Sequence, residues 1–235
     1  AVAAGHELAT RAGMNALEKG GNAVDAAVAV GLTLGIVDGF NSGIGGGCFM
    51  MIRTPGGELV ALDGREKAPN TAFRDMYLRD GDAVPGLSQD GALAVAVPGA
   101  LATFDLALKR YGNLKLSDLL LPAAEIAEEG FPINLTFYGR VASVANTLKQ
   151  FPEIRSVYLD SNQKLYEIGD TFVQKDLAQS YRRIAQKGVS VFYEGSISSS
   201  LVHWMRTNGG LITEKDMADY DPVFRAPVRT SYRGF

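Results

Sequence analysis

The longest apolar run of the chain, residues 23–37, constrains its fold more than any other feature. Asn22 precedes the run as a helix cap, and Asp25 near its start suits the positive end of a helix dipole. The run therefore predicts a helix over about residues 23–34, apolar on nearly every side and buried on most of them. It is too short, and too often interrupted by glycine, for a membrane span of about 20 residues.

A glycine tract over residues 42–49 follows the run and leads into a predicted β-hairpin. Two apolar segments, 49–53 and 58–63, flank a Pro-Gly turn. Neither segment alternates cleanly between apolar and polar residues, so we expect a sheet that is covered on both faces. A buried helix followed by a buried hairpin indicates a layered α/β structure.

Helical patterns dominate the second half of the chain, which has no repeat and no convincing domain boundary, so we expect one domain over residues 1–235. Further helices are predicted over residues 6–19, from Pro98-Gly99 through Arg110, from a Ser117 cap through Glu128 with Gly130 as its end, over 136–150 and 174–187, and from a Thr213 cap.

The C-terminal segment, residues 222–235, alternates apolar and polar residues and predicts a strand, a glycine turn and a second strand. A domain rarely ends partway through an apolar β segment, because the backbone groups of that segment need partners. We therefore expect the chain to be one piece of a larger protein.

Composition excludes several classes of partner and cofactor. With 23 basic and 26 acidic residues, a net charge of −3 gives no reason to expect nucleic acid or an anionic membrane as partner. Cys48, His6 and His203 are too few for a zinc site, and we expect no metal and no other cofactor. Cys48 lies among apolar residues and is expected to be a small buried hydrophobe rather than a nucleophile.

No catalytic motif is evident within the chain. The glycine tract matches the start of G-x-G-x-x-G, but Cys48 replaces the last glycine, and the tract opens a strand instead of a helix. We therefore interpret the tract as backbone crowding where a strand passes under a helix. No serine occupies a G-x-S-x-G elbow, and the paired carboxylates fall in predicted turns and on helix faces.

Arg65 is the candidate ligand-binding residue. It follows the second strand of the predicted hairpin, between Asp63 and Glu66. A guanidinium offers a rigid fork of donors that matches a small carboxylate with two parallel hydrogen bonds. The same pattern fits a simple ion pair with Asp63 or Glu66, and the sequence leaves both interpretations open.

Several motifs, in order along the whole chain, resemble the γ-glutamyltranspeptidase family. They are His6–Thr10 with Ala12-Gly13, Gly20–Ala29, Ser42–Gly47, Leu62–Pro69, Asp75–Tyr77, Pro98-Gly99, Tyr111-Gly112, Ala123-Ala124 with Ala127, Gly130-Phe131, Phe192–Gly195, Asn208–Thr213, Asp216, Tyr220 and Tyr232–Gly234.

The resemblance implies the four-layer αββα N-terminal-nucleophile hydrolase fold. In that family a precursor cleaves itself into a large and a small subunit, and the new N-terminal threonine of the small subunit is nucleophile and base. The enzyme takes a γ-glutamyl group from glutathione or a similar donor and passes it to water or an amino acid. The chain resembles most of the large subunit, so the resemblance implies a small-subunit partner, no catalytic residue within this chain and a periplasmic or extracellular location.

Two residues match family positions that bind substrate. Arg65 matches the arginine that binds the α-carboxylate of the glutamyl group, and Glu66 matches the neighbouring acid, which we expect to orient Arg65. Gly64 and residues 38–41 depart from the family pattern, and we expect the glycine to widen the pocket. The alternatives are a cephalosporin- or glutaryl-type acylase, a poly-γ-glutamate transpeptidase and, less favoured, a non-enzymatic scaffold fragment.

Overall fold

The computed structural model describes residues 1–234 as a helix-rich structure built beside a three-stranded sheet. The helices are α1 Glu7–Glu18, α2 Ala23–Val37, α3 Ala100–Tyr111, α4 Leu116–Glu129, α5 Leu135–Ser143, α6 Ala145–Leu148, α7 Pro152–Tyr158, α8 Lys175–Lys187, α9 Ser190–Tyr193, α10 Ser196–Thr207 and α11 Glu214–Ala218. The strands are β1 Cys48–Arg53, β2 Leu59–Gly64, β3 Leu78–Arg79, β4 Asp82–Ala83, β5 Phe131–Pro132, β6 Thr171–Phe172 and β7 Val223–Arg225.

The apolar run forms α2, which lies in the centre of the helical layer against α1, α3 and α4. Its Asn22 cap accepts hydrogen bonds from the backbone N–H groups of Val24 and Asp25. The predicted burial is confirmed, since most α2 residues have little exposed surface.

Asp25 is completely buried and joins α2 to the loop between α3 and α4. Its carboxylate accepts backbone hydrogen bonds from Asn22 (2.7 Å), from Asn113 (3.0 Å) and from Leu114 (2.9 Å). A buried carboxylate is stable only when such donors replace its water. Asp25 therefore fixes the position of the central helix relative to α3 and α4.

The other predicted helices are confirmed with two corrections. The cap at Ser117 is wrong, because the Asp118 carboxylate accepts a hydrogen bond from the Lys115 backbone N–H (3.1 Å) and the helix begins at Leu116. Gly130 ends that helix with a left-handed backbone (φ 84°), as predicted. The helix predicted over 136–150 is interrupted at Val144 and forms the separate α5 and α6.

The predicted hairpin is confirmed as β1 and β2, which pair antiparallel with Met50 opposite Leu62. Strand β7 pairs antiparallel with the other edge of β2, with Phe224 opposite Leu62. The inner face of the sheet, including Ile52, Val60 and Leu62, packs against α3 at Ala107.

The expectation of a sheet covered on both faces is wrong for residues 1–234. On the outer face Phe49 is 68% exposed and Met51 is 60% exposed. Successive side chains along a strand point to opposite faces of the sheet. Because Ile52 points towards the helices, Phe49 and Met51 point away from them. The apolar outer face of β1 has no cover within this part of the chain.

The first strand predicted in the C-terminal segment is confirmed as β7, but residues 226–234 form no strand. Phe235, at the end of the second predicted strand, lies outside the described residues. None of the helices in residues 1–234 is long and apolar enough to cross a membrane.

Candidate functional site

A cleft of about 480 Å³ lies where the end of α2, the glycine tract and the end of β2 meet. Arg65 and Glu66 form one side of the cleft, and Leu177 and Tyr181 of α8 contribute to its lining. The glycine tract contributes mainly backbone atoms to the cleft wall. Arg65 and Glu66, after β2, therefore face the same open space as Leu177 and Tyr181 of α8.

The glycine tract is shaped by close backbone contacts. A Cβ atom on Gly35 would lie 3.1 Å from the Cα atom of Gly43, and a Cβ atom on Gly47 would lie 2.6 Å from Glu66 Oε2. The Gly46 carbonyl accepts hydrogen bonds from the N–H groups of Gly99 and Ala100. The predicted crowding under a helix is confirmed, and the tract lies directly against the two candidate residues.

The Arg65 side chain is 59% exposed at the cleft. Its Nη1 atom lies 3.4 Å from Glu66 Oε2, and its guanidinium carbon lies 5.9 Å from the centre of the Phe49 ring. Within residues 1–234 the guanidinium donates no hydrogen bond, because the Glu66 contact lacks hydrogen-bond geometry. Apart from the ion pair with Glu66, its fork of donors is therefore not engaged by the described part of the chain.

Asp63 holds the backbone of Arg65 and not its guanidinium. Oδ1 accepts a hydrogen bond from the Arg65 backbone N–H (3.0 Å), and Oδ2 accepts one from Arg225 Nε of β7 (2.6 Å). The hydrogen bond from the Arg65 backbone has the larger effect and that from Arg225 the next, and together they lower the pKa of Asp63 below its ordinary value. Of the two ion pairs that the sequence left open for the Arg65 guanidinium, the one with Asp63 is not formed and the one with Glu66 is formed, at 3.4 Å.

Glu66 lies under the glycine tract with its Oε2 atom buried. Among the residues that the structure describes, no donor forms a hydrogen bond with that oxygen. Its ion-pair partner is the Arg65 guanidinium, whose Nη1 atom lies 3.4 Å away and is attracted toward Glu66.

Gly64 does not widen the cleft, contrary to the expectation from the sequence. It is buried on the inner face of the sheet, where a Cβ atom would lie 1.9 Å from Thr103 Oγ1 of α3. The glycine is required there because β2 and α3 pack closely.

Two residues at the site were not identified as functional from the sequence. Tyr220 donates a hydrogen bond from its hydroxyl to the Arg65 carbonyl (2.8 Å), and Arg225 binds Asp63. Both lie more than 150 residues beyond β2 in the chain, as the separations of 155 and 162 residues show. No local spacing signals such a contact, and Tyr220 was noted only within the family motifs.

Cys48 and His6 lie in surroundings that indicate structural roles. Cys48 is partly buried beside Thr103, and this burial raises the pKa of its thiol, which disfavours the nucleophilic thiolate. His6 caps α1 by accepting a hydrogen bond from the Leu8 backbone N–H. Within residues 1–234, no three histidine, cysteine or acidic side chains are grouped so that they could hold a metal ion.

Comparison with known proteins identifies the family. The family model for γ-glutamyltranspeptidase matches residues 9–235. The glutathione hydrolase proenzyme of Escherichia coli strain K12 is 39% identical over the whole chain, and the acylase ACY 1 proenzyme of Pseudomonas sp. strain V22 is 37% identical over the whole chain. The chain spans 40% of the length of the first relative and 43% of the second.

The fold matches a solved structure over its full length. The crystal structure of the γ-glutamyltranspeptidase of Helicobacter pylori is 41% identical, with a TM-score of 0.97, and the match covers 100% of this chain and 67% of that one. This match confirms the predicted N-terminal-nucleophile hydrolase fold. The chain belongs to the γ-glutamyltranspeptidase family.

Proposed function

We propose that the chain is the large-subunit part of a γ-glutamyl transferase/hydrolase, with residues 1–235 forming one domain. The complete protein would cleave the γ-glutamyl bond of a glutathione-like donor and pass the glutamyl group to water or to an amino acid. The observation that carries the proposal is the Arg65 guanidinium, which is free of hydrogen bonds within residues 1–234 and lies at an open cleft of about 480 Å³.

In this proposal Arg65 binds the α-carboxylate of the donor through two parallel N–H···O hydrogen bonds. Glu66, 3.4 Å from Arg65 Nη1, orients the guanidinium toward the cleft. The carboxylate then fixes one end of the glutamyl group, which limits how far its γ-carbonyl can lie from Arg65. The reacting group is the N-terminal threonine of a small subunit, which attacks that carbonyl.

The outer face of the sheet supports the proposed small subunit as partner. Phe49 and Met51 of β1 form an apolar surface there, and Val223 of β7, 40% exposed, lies on the same face across Asp63 of the intervening strand β2. An apolar sheet face of this kind is stable in water only when another layer covers it. The second sheet of an αββα structure is such a layer, and we propose that the small subunit supplies it.

A periplasmic or extracellular location is part of the same proposal and rests on the family resemblance. Fractionation of the source cells tests this location, with activity expected outside the cytoplasm. Activity confined to the cytoplasm would contradict it.

The second candidate is a glutaryl- or cephalosporin-type acylase, which is favoured by the comparable identity to the acylase ACY 1 proenzyme. A glutaryl group carries the same terminal carboxylate as a γ-glutamyl group and lacks only the α-amino group. Arg65 binds only the carboxylate and therefore cannot by itself distinguish the two donors. The donor of a poly-γ-glutamate transpeptidase carries the same carboxylate. A non-enzymatic scaffold is disfavoured by the Arg65 guanidinium, which lies at the cleft and donates no hydrogen bond within residues 1–234.

The experiment compares two anilides that differ only in that amino group. We expect the complete protein to hydrolyse γ-glutamyl-p-nitroanilide with a kcat/KM at least about ten-fold above that for glutaryl-p-nitroanilide, since one charged hydrogen-bonding group distinguishes them. The reverse preference would establish the acylase alternative. Hydrolysis of neither anilide would contradict both enzymatic proposals.

A further inference from the structure

Tyr220 connects the C-terminal part of the chain to the substrate-binding arginine. The residue follows α11 and is only 6% exposed. Its hydroxyl donates to the backbone carbonyl of Arg65 at 2.8 Å. The Tyr220 ring stacks on the Tyr193 ring, with 5.9 Å between the ring centres. In a further contact, Lys67 Nζ, from the segment that follows β2, lies 4.8 Å from the Tyr220 ring centre.

Gly99 provides the space that the Tyr220 hydroxyl occupies. A Cβ atom on Gly99 would lie 1.9 Å from Tyr220 Oη and 2.3 Å from the Gly64 carbonyl oxygen. The φ angle of Gly99 is −124°, which any residue adopts, so its backbone conformation does not require glycine. The requirement is the close approach of the hydroxyl to the end of β2.

The peptide groups of Arg65 are therefore held on both sides. Asp63 Oδ1 accepts from its N–H, and the Tyr220 hydroxyl donates to its carbonyl. The guanidinium has only the 3.4 Å contact with Glu66 and no hydrogen bond of its own within the described chain. The direction of the side chain thus depends on the backbone from which it projects.

We propose that Tyr220 is a positioning residue, whose hydroxyl fixes the Arg65 backbone so that the guanidinium meets the α-carboxylate of the donor. The proposal rests on the proposed function, because it requires a carboxylate ligand at Arg65. It predicts that loss of the hydroxyl weakens recognition of the carboxylate specifically, and leaves the reacting groups unaffected.

The test replaces Tyr220 by phenylalanine in the complete protein. We expect Tyr220→Phe to raise KM for γ-glutamyl-p-nitroanilide about five-fold, as for the loss of one neutral hydrogen bond, with kcat changed less than two-fold. The matched control is Tyr193→Phe. It removes a hydroxyl that donates to the Pro98 carbonyl and accepts from the Ala102 N–H, with no contact to Arg65, so KM should not change.

A donor without the carboxylate makes the readout specific. For 4-aminobutyryl-p-nitroanilide, which lacks only the α-carboxylate, Tyr220→Phe should leave kcat/KM at the unsubstituted value. Equal losses on both donors, or the same rise in KM for Tyr193→Phe, would overturn the positioning role.

Arg65→Lys separates this inference from the proposed function. If Arg65→Lys loses discrimination between the two donors and Tyr220→Phe keeps it, only the positioning role fails. If Arg65→Lys keeps that discrimination, the carboxylate role of Arg65 is overturned, and the role of Tyr220 is overturned with it.

Discussion

Arg65 takes its position from atoms that belong to three different parts of the chain. Asp63 of β2 holds its N–H group, and Tyr220 near the C-terminal strand holds its carbonyl. Arg225 in turn engages the second oxygen of Asp63. The contact with Glu66 lacks hydrogen-bond geometry, so the hydrogen bonds to the Arg65 peptide groups are the contacts that fix its backbone.

The glycine tract gives a sharp prediction at the residue scale. Gly47→Ala places a Cβ atom 2.6 Å from Glu66 Oε2 and 2.7 Å from the Gly64 carbonyl oxygen. Such overpacking costs about 1–3 kcal/mol, so the thermal midpoint of the complete protein should fall by several degrees.

Gly45→Ala is the matched control, because no atom lies within 4 Å of the Cβ position at Gly45. Its midpoint should stay constant or rise slightly, since alanine restricts the unfolded chain. Equal destabilisation by the two substitutions would contradict the packing described for the tract.

The sequence predicts one half of the site at this scale. Arg65 is identifiable because it follows a recognisable strand and carries a charge suited to a small carboxylate, and Glu66 is identifiable only through the family resemblance. Tyr220 is not, because a tyrosine hydroxyl that reaches a backbone carbonyl 155 residues earlier in the chain leaves no local pattern. Gly64 was misjudged because its neighbour Thr103 also comes from a distant element.

At the scale of elements, local signals predicted the helices well. Asn22 and Thr213 begin helices as expected, since each side chain accepts a hydrogen bond from the first turn. The Ser117 cap failed because a competing carboxylate, Asp118, lies next to it. The exposed face of the sheet was missed because an apolar strand pattern does not state whether the cover comes from the same chain.

Asp216 links the first turn of α11 to the loop after β2. Its carboxylate accepts hydrogen bonds from the Asn70 N–H (2.8 Å) and from the Thr213 N–H (2.8 Å) and hydroxyl (2.7 Å). Burial raises the pKa of Asp216, but the hydrogen bonds from Asn70 and Thr213 outweigh it and hold this pKa below the ordinary value of 3.8.

A lowered pKa stabilises the fold above the pKa of the unfolded state, and this contribution is lost as pH falls through the lower folded value. Asp216→Asn should therefore lower the thermal midpoint at pH 7, and the difference from the unsubstituted protein should shrink below about pH 4. Thermal unfolding of both proteins across pH 3–7 measures this.

The control for that measurement is Asp219→Asn. Asp219 is an exposed carboxylate at the end of α11 that pairs with Lys215, and such a solvent-exposed pair contributes little to stability. A constant difference across pH for Asp216→Asn would contradict the role of the ionised carboxylate.

On the scale of the whole molecule, the chain carries the proposed substrate-binding arginine and, within residues 1–234, an uncovered sheet face. The isolated chain should be inactive towards γ-glutamyl-p-nitroanilide and should aggregate through the outer face of β1. Met51→Lys places a charge on that face and should reduce aggregation of the isolated chain, as measured by light scattering after size-exclusion chromatography.

Leu135→Lys is the matched control for aggregation. Leu135 is 72% exposed on α5, away from the sheet, so its substitution should leave aggregation unchanged. In the complete protein Met51→Lys should impair assembly with the small subunit, and Leu135→Lys should not. Measurable turnover by the isolated chain would contradict the two-subunit account.

The most direct test of the central claim is the steady-state kinetics of Arg65→Lys in the complete protein. Replacing the bidentate grip by a point charge should cost about 1.5–3 kcal/mol, which corresponds to a rise of roughly ten- to a hundred-fold in KM for γ-glutamyl-p-nitroanilide. The value of kcat/KM for 4-aminobutyryl-p-nitroanilide should not change. If KM and kcat for the γ-glutamyl donor are both unaltered, Arg65 does not bind the substrate carboxylate.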